Sequence, residues 1–157
     1  MRVDTIQQKG RPAEILLIED NYGDVLLTLK AFKQGKIANN ITVAKTGEEA
    51  MQILRREGAH ANIRVPDLIL LDLNLPKKSG KEVLQEIKSD DKLKHIPVVI
   101  LTSSRAELDV VKTYDLHANS YIIKPVNLEK FGEIVATIEH YWFTIVVLPD
   151  ANEPEKE

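Results

Sequence analysis

Four short apolar runs, each ending in a polar side chain, constrain this chain more than any other feature. Ile15-Leu16-Leu17-Ile18 leads into the acid pair Glu19-Asp20, Leu68-Ile69-Leu70-Leu71 into Asp72, Val98 to Leu101 into Thr102, and Tyr121 to Ile123 into Lys124. The runs are continuous rather than alternating, which means that both faces of each strand are covered; that is the signature of a parallel sheet between layers of helices. Right-handed crossovers then point all strands the same way and gather their C-terminal ends on one rim, where ligands of open α/β sheets bind.

The segments between the runs read as helices with marked starts. Thr46-Gly47-Glu48-Glu49, Ser79-Gly80-Lys81-Glu82 and Ser104-Arg105-Ala106-Glu107 fit the Ser/Thr-x-x-Glu capping box, and Asn21 and Asn127 can cap two more helices. The first helix places Val25, Leu29 and Phe32 on one face and ends near Gly35, with Lys30, Lys33 and Lys36 at its negative end. The last carries the stripe Leu128, Phe131, Val135, Ile138 and Trp142. Strands are expected at Ile15 to Glu19, Ile41 to Ala44, Asp67 to Asp72, Pro97 to Thr102 and Ser120 to Ile123, the second at an edge because it alternates. At 157 residues the chain has room for one domain, expected over residues 13–148, with polar tails at 1–12 and 149–157 and no output domain.

Composition excludes several functions. Without cysteine there is no disulfide framework, thiolate metal site or thiol nucleophile. No run approaches the roughly 20 apolar residues that span a bilayer, and the start lacks a signal-peptide core, so a cytoplasmic protein with no membrane partner is expected. The net charge of -3, with basic residues in pairs only, leaves no footprint for direct nucleic-acid binding. The four histidines, His60, His95, His117 and His140, are scattered and lack metal-ligand spacing.

The rim residues do specify a chemistry. Two carboxylates about 4 Å apart repel by roughly 4 kcal/mol at an effective dielectric of about 20, so Glu19, Asp20 and Asp72 together call for a proton or a cation. All-oxygen ligation suits a hard ion such as Mg²⁺, with Asp20 and Asp72 as direct ligands, Glu19 acting through water and the Asn74 backbone carbonyl closing one more position. Asp72 beside such an ion is a credible nucleophile toward a phosphoryl group; Lys124 offers a positive charge and Thr102 a hydroxyl donor to the phosphoryl oxygens. The bland readings are a capping role for Thr102 and a structural bridge from Lys124 to Asp20.

Ile18-Glu19-Asp20-Asn21, Leu71-Asp72-Leu73-Asn74-Leu75-Pro76, Pro97 to Thr102 and Tyr121-Ile122-Ile123-Lys124-Pro125 together resemble the receiver domain of two-component response regulators. The resemblance covers roughly Ala13 to Tyr141, and its specificity lies in the order and spacing of motifs that are individually common. It implies a flavodoxin-like, doubly wound (βα)5 sandwich with strand order 2-1-3-4-5. It also implies that Asp72 accepts phosphate from a sensor histidine kinase, that Mg²⁺ sits on Asp20, Asp72 and the Asn74 carbonyl, that Thr102 and Tyr121 reorient on phosphorylation, and that Lys124-Pro125 is a cis peptide. On this reading the chain is not an enzyme but a phosphoacceptor that assists its own phosphorylation and dephosphorylation, signalling to an unknown downstream protein.

Tyr114-Asp115-Leu116-His117-Ala118-Asn119 and Trp142 to Pro149 are similar to the small regulators paired with cyanobacterial phytochromes, which implies a phytochrome as the kinase. The apolar ending can pack back on its own domain or form a homodimer interface through Tyr141, Trp142, Phe143, Ile145 and Leu148; the stripe on the last helix favours the dimer. Rival functions each conflict with a residue. A haloacid-dehalogenase-type phosphohydrolase needs a second Asp where Asn74 stands, and a flavodoxin-like carrier needs a phosphate loop where Glu19-Asp20 places anions. A phosphorylation-independent scaffold has no use for a complete set of site residues.

Overall fold

A computed structural model describes residues 12–34, 38–103, 105, 106, 109 and 120–124. Five parallel strands form one sheet: β1 (Ala13–Ile18), β2 (Asn39–Ala44), β3 (Leu68–Asp72), β4 (Val98–Thr102) and β5 (Ser120–Ile123). Their order is β2-β1-β3-β4-β5, with the alternating strand at the edge. The chain steps outward from β1 to β2, then crosses back to place β3 on the other side of β1, so the direction of winding reverses between β1 and β3. A ligand crevice belongs there.

Three α-helices are described from end to end: α1 (Tyr22–Lys33), α2 (Gly47–Leu54) and α3 (Gly80–Ser89). Each begins at its expected cap. The Asn21 side chain accepts from the Asp24 N–H at 2.9 Å, Thr46 from the Glu49 N–H at 3.0 Å and Ser79 from the Glu82 N–H at 3.2 Å. The capping box at Thr46 is shifted, however, since Glu49 Oε1 accepts from the Lys45 N–H rather than from that of Thr46. Residues 105, 106 and 109 are helical, as expected after Ser104, whereas the helix expected from Asn127 lies outside the described residues.

Burial explains why the strands read as unbroken apolar runs. Leu16, Ile18, Ile69, Leu71, Val98 and Ile100 pack with Met51, Leu54, Val83, Leu84 and Ile87 of α2 and α3. Ile15, Leu17, Leu68, Leu70, Val99 and Leu101 point to the opposite face, where Val25, Ala31 and Phe32 of α1 cover them. Sequence boundaries shift by one or two residues. β2 begins at Asn39 rather than Ile41 because Ala13 and Glu14 at the start of β1 pair with Asn39 and Asn40. The expected α1 face is found, with Thr28 and Ala31 buried beside Val25 and Phe32 and Leu29 only partly buried.

Candidate functional site

Parallel register sets the rim. Ile18 pairs with Leu71, Asp72 with Leu101, and Thr102 with Ile123, so Glu19, Asp72, Thr102 and Lys124 leave neighbouring strands at nearly one level. The Glu19 N–H donates to Ala44 O at 2.9 Å, which carries the sheet one step past β1 and holds this acid inside. Glu19 and Thr102 are fully buried and Asp72 is 3% exposed, while Asp20 faces solvent. One carboxylate oxygen each from Glu19, Asp20 and Asp72 lies within 4.8 Å of the others.

Lys124 is the cationic partner of this cluster. Its Nζ donates to Asp72 Oδ2 at 3.2 Å and to Asp24 Oδ2 at 2.7 Å, and it lies 2.7 Å from Glu19 Oε1. The Lys124 N–H donates to Thr102 O, which ties the residue to the end of β4. The bridge to Asp20 suggested by the sequence is therefore not the one formed: Asp20 is exposed, though one of its carboxylate oxygens stays in the acid cluster, and Asp24, in the first turn of α1, stands beside the ammonium. Asp72 divides its oxygens, since Oδ1 accepts from the Asn74 N–H at 3.0 Å while Oδ2 faces Lys124.

The electrostatics are unbalanced. Glu19 Oε2 accepts from the Asn21 N–H at 3.3 Å, but Oε1 is buried and, although ion-paired with Lys124, has no aligned donor. Burial first, then the neighbouring Asp72 carboxylate, pushes the Glu19 carboxyl up from 4.5 to about 8. Burial pulls Lys124 down, yet the Asp24 and Glu19 carboxylates beside the ammonium and the charge of Asp72 outweigh that and leave it above the usual lysine range. A buried acid with an unmatched oxygen beside two more carboxylates fits a divalent cation: the donors are all oxygen, which selects a hard ion, and two positive charges relieve the repulsion.

The loop after β3 fixes Asp72 from behind. The Leu73 N–H donates to Leu101 O at 3.1 Å and the Gly80 N–H to Leu73 O at 3.0 Å. A Cβ at Gly80 would lie 2.5 Å from Leu73 Cα and closer still to Asp72 O, so only glycine lets α3 approach this backbone. Lys77, in the same loop, has a left-handed φ of 61°.

Sequence reasoning thus assembles Glu19, Asp20, Asp72 and Lys124 at one place and sets Thr102 beside them, but it misses Asp24 and Gly80. Asp24 has no sequence signal of its own, since nothing linear links it to a lysine 100 residues away. Gly80 read as part of a capping box, where glycine is ordinary. Tyr121 of β5 pairs with Ile100 of β4, two residues short of the rim. The cis peptide expected at Lys124-Pro125 and the dimer residues Tyr141, Trp142, Phe143, Ile145 and Leu148 lie outside the described residues, as does the Tyr114 to Asn119 motif.

The response regulator receiver domain profile matches residues 15–136. Response regulator Rcp1 of Synechocystis sp. is 45% identical over 144 residues, 92% of this chain and 98% of that protein. The crystal structure of the phosphorylated cyanobacterial phytochrome response regulator RcpA superposes with a TM-score of 0.80 at 48% identity, covering 88% of this chain and 99% of that one. The Mn²⁺-bound form of Rcp1 superposes with a TM-score of 0.79 at 45% identity, over 88% and 99% of the two chains.

Proposed function

From the premise that this chain belongs to the response regulator receiver family, we propose that Asp72 is its phosphoacceptor and a sensor histidine kinase its donor. The observation that carries this reading is the split use of the Asp72 carboxylate, with Oδ1 fixed by the Asn74 N–H and Oδ2 turned toward Lys124 inside the acid cluster. An Asp72 oxygen attacks the phosphorus of a phosphohistidine, the P–N bond breaks, and the imidazole nitrogen keeps the electron pair and takes up a proton. Lys124 and the Thr102 hydroxyl, at the ends of neighbouring strands, stabilise the charge on the transferred oxygens. The phosphohydrolase alternative is not favoured, because a general acid is missing at Asn74 and the relatives are receivers.

We assign the cation as Mg²⁺, which Asp20, Asp72 and the Asn74 carbonyl would hold with Glu19 behind them, and which would supply charge neutralisation for the incoming phosphoryl group. The chain itself assists both gain and loss of the group. The acyl phosphate then carries roughly -1.5 to -2 charges where the carboxylate carried -1, a net gain of about -0.5 to -1, which Thr102 and Tyr121 read by reorienting. Output is an altered contact with a downstream protein in the cytoplasm and a homodimer through the segment from Tyr141 to Leu148.

The donor is a phytochrome-type kinase; what supports this is the kinship with RcpA, a phytochrome response regulator. Phosphotransfer from a panel of autophosphorylated sensor kinases tests the assignment. Transfer to the wild-type chain and none to Asp72→Asn is expected, with a phytochrome kinase fastest; transfer that survives in Asp72→Asn would refute it.

A further inference from the structure

We propose that Asp24 is a positioning residue that competes with Asp72 for the Lys124 ammonium and so sets how tightly the rim holds a phosphoryl group. The inference rests on the phosphoacceptor reading of Asp72. An ammonium has three protons, and Lys124 faces three carboxylates, with Asp24 Oδ2 at 2.7 Å against 3.2 Å for Asp72 Oδ2. The shorter contact goes to the residue that belongs to neither the acid cluster nor the sheet.

The three partners differ in what they can surrender. The Glu19 and Asp72 side chains are 1% and 4% exposed, so neither can replace the ammonium with water. The Asp24 side chain is 34% exposed and can. Its backbone is fixed, because its N–H donates to Asn21 Oδ1 and its carbonyl accepts from Thr28 Oγ1 at 2.8 Å, but its carboxylate is free to turn outward. When a phosphoryl group arrives on Asp72, Lys124 must serve a more anionic acceptor with three new oxygens. The contact given up is the one to Asp24, whose charge therefore favours the unphosphorylated arrangement.

Beryllofluoride binding to the Mg²⁺-loaded full chain, followed together with the Lys124 ammonium resonance by NMR, tests this. Asp24→Asn and Asp24→Ala each remove the competing charge, and both should bind the mimic about two- to fivefold more tightly, the range of a partly exposed ion pair. The Lys124 resonance should shift in the unliganded variants and coincide with wild type once the mimic is bound. Unchanged affinity, or a variant shift that persists in the bound state, would overturn the proposal, since Asp24 would then be a bystander or a permanent tether. Absence of any mimic binding by the wild-type chain would instead overturn the phosphoacceptor reading, and this inference with it.

Discussion

The two ends of the sheet treat their acids in opposite ways. At the N-terminal end, Asp67 Oδ2 accepts from the Glu14 N–H at 2.8 Å, the Asp67 N–H returns a bond to Glu14 O at 2.7 Å, and Glu14 Oε2 accepts from Asn40 Nδ2 at 3.0 Å. Each carboxylate there meets a donor and serves to join β1, β2 and the start of β3. At the C-terminal rim, Glu19, Asp24 and Asp72 share one ammonium, and the buried Glu19 Oε1 lacks an aligned donor. The lower acids are completed by folding, whereas the upper ones need a cation.

Titration should separate the two ends most strongly. The Glu19 carboxyl rises on folding from 4.5 to about 8, so the protonated form is favoured in the folded chain. Its stabilising contribution is full below about pH 4.5 and is lost as pH rises through about 8. Thermal unfolding of the metal-free protein should show a loss on the order of a few kcal/mol across that window. Glu19→Gln should flatten the profile, and a divalent cation should restore stability at the alkaline end. A profile unchanged by Glu19→Gln would mean that the rim is as complete as the lower edge.

Gly80→Ala comes next. The added methyl meets the Asp72–Leu73 backbone, and a stability loss of about 2–3 kcal/mol is expected in chemical denaturation, with weaker binding of a phosphoryl mimic. Asp67→Ala should cost about 1.5–3 kcal/mol for its lost backbone hydrogen bond and leave mimic binding intact; loss of binding would break the division between the ends. The smallest effect should come from Lys77→Gly, which relieves a left-handed backbone and should stabilise by about 0.5–1 kcal/mol.

Most of the fold was legible because burial on both faces writes continuous apolar runs, and because the caps at Asn21, Thr46 and Ser79 act within four residues of themselves. Strand-end polar residues were legible for the same reason: register alone carries Asp72, Thr102 and Lys124 to one rim. Asp24 was not, because its role depends on where a strand 100 residues away delivers a lysine. Gly80 was not, because its need is set by how closely α3 crosses the chain after β3, a tertiary distance with no local signature. The two-residue error at the start of β2 has a similar origin, since Asn39 and Asn40 have weak strand propensity and are extended only because β1 pairs with them.

On the function proposed for this chain, the phosphoryl group lands on Asp72, within the unfinished rim. Peptide mass spectrometry after incubation with acetyl phosphate and Mg²⁺ tests it most directly. One phosphoryl group on the peptide carrying Asp72, absent without a divalent cation and absent in Asp72→Asn, is the predicted result. A label on any other residue, or labelling that persists in Asp72→Asn, would contradict it.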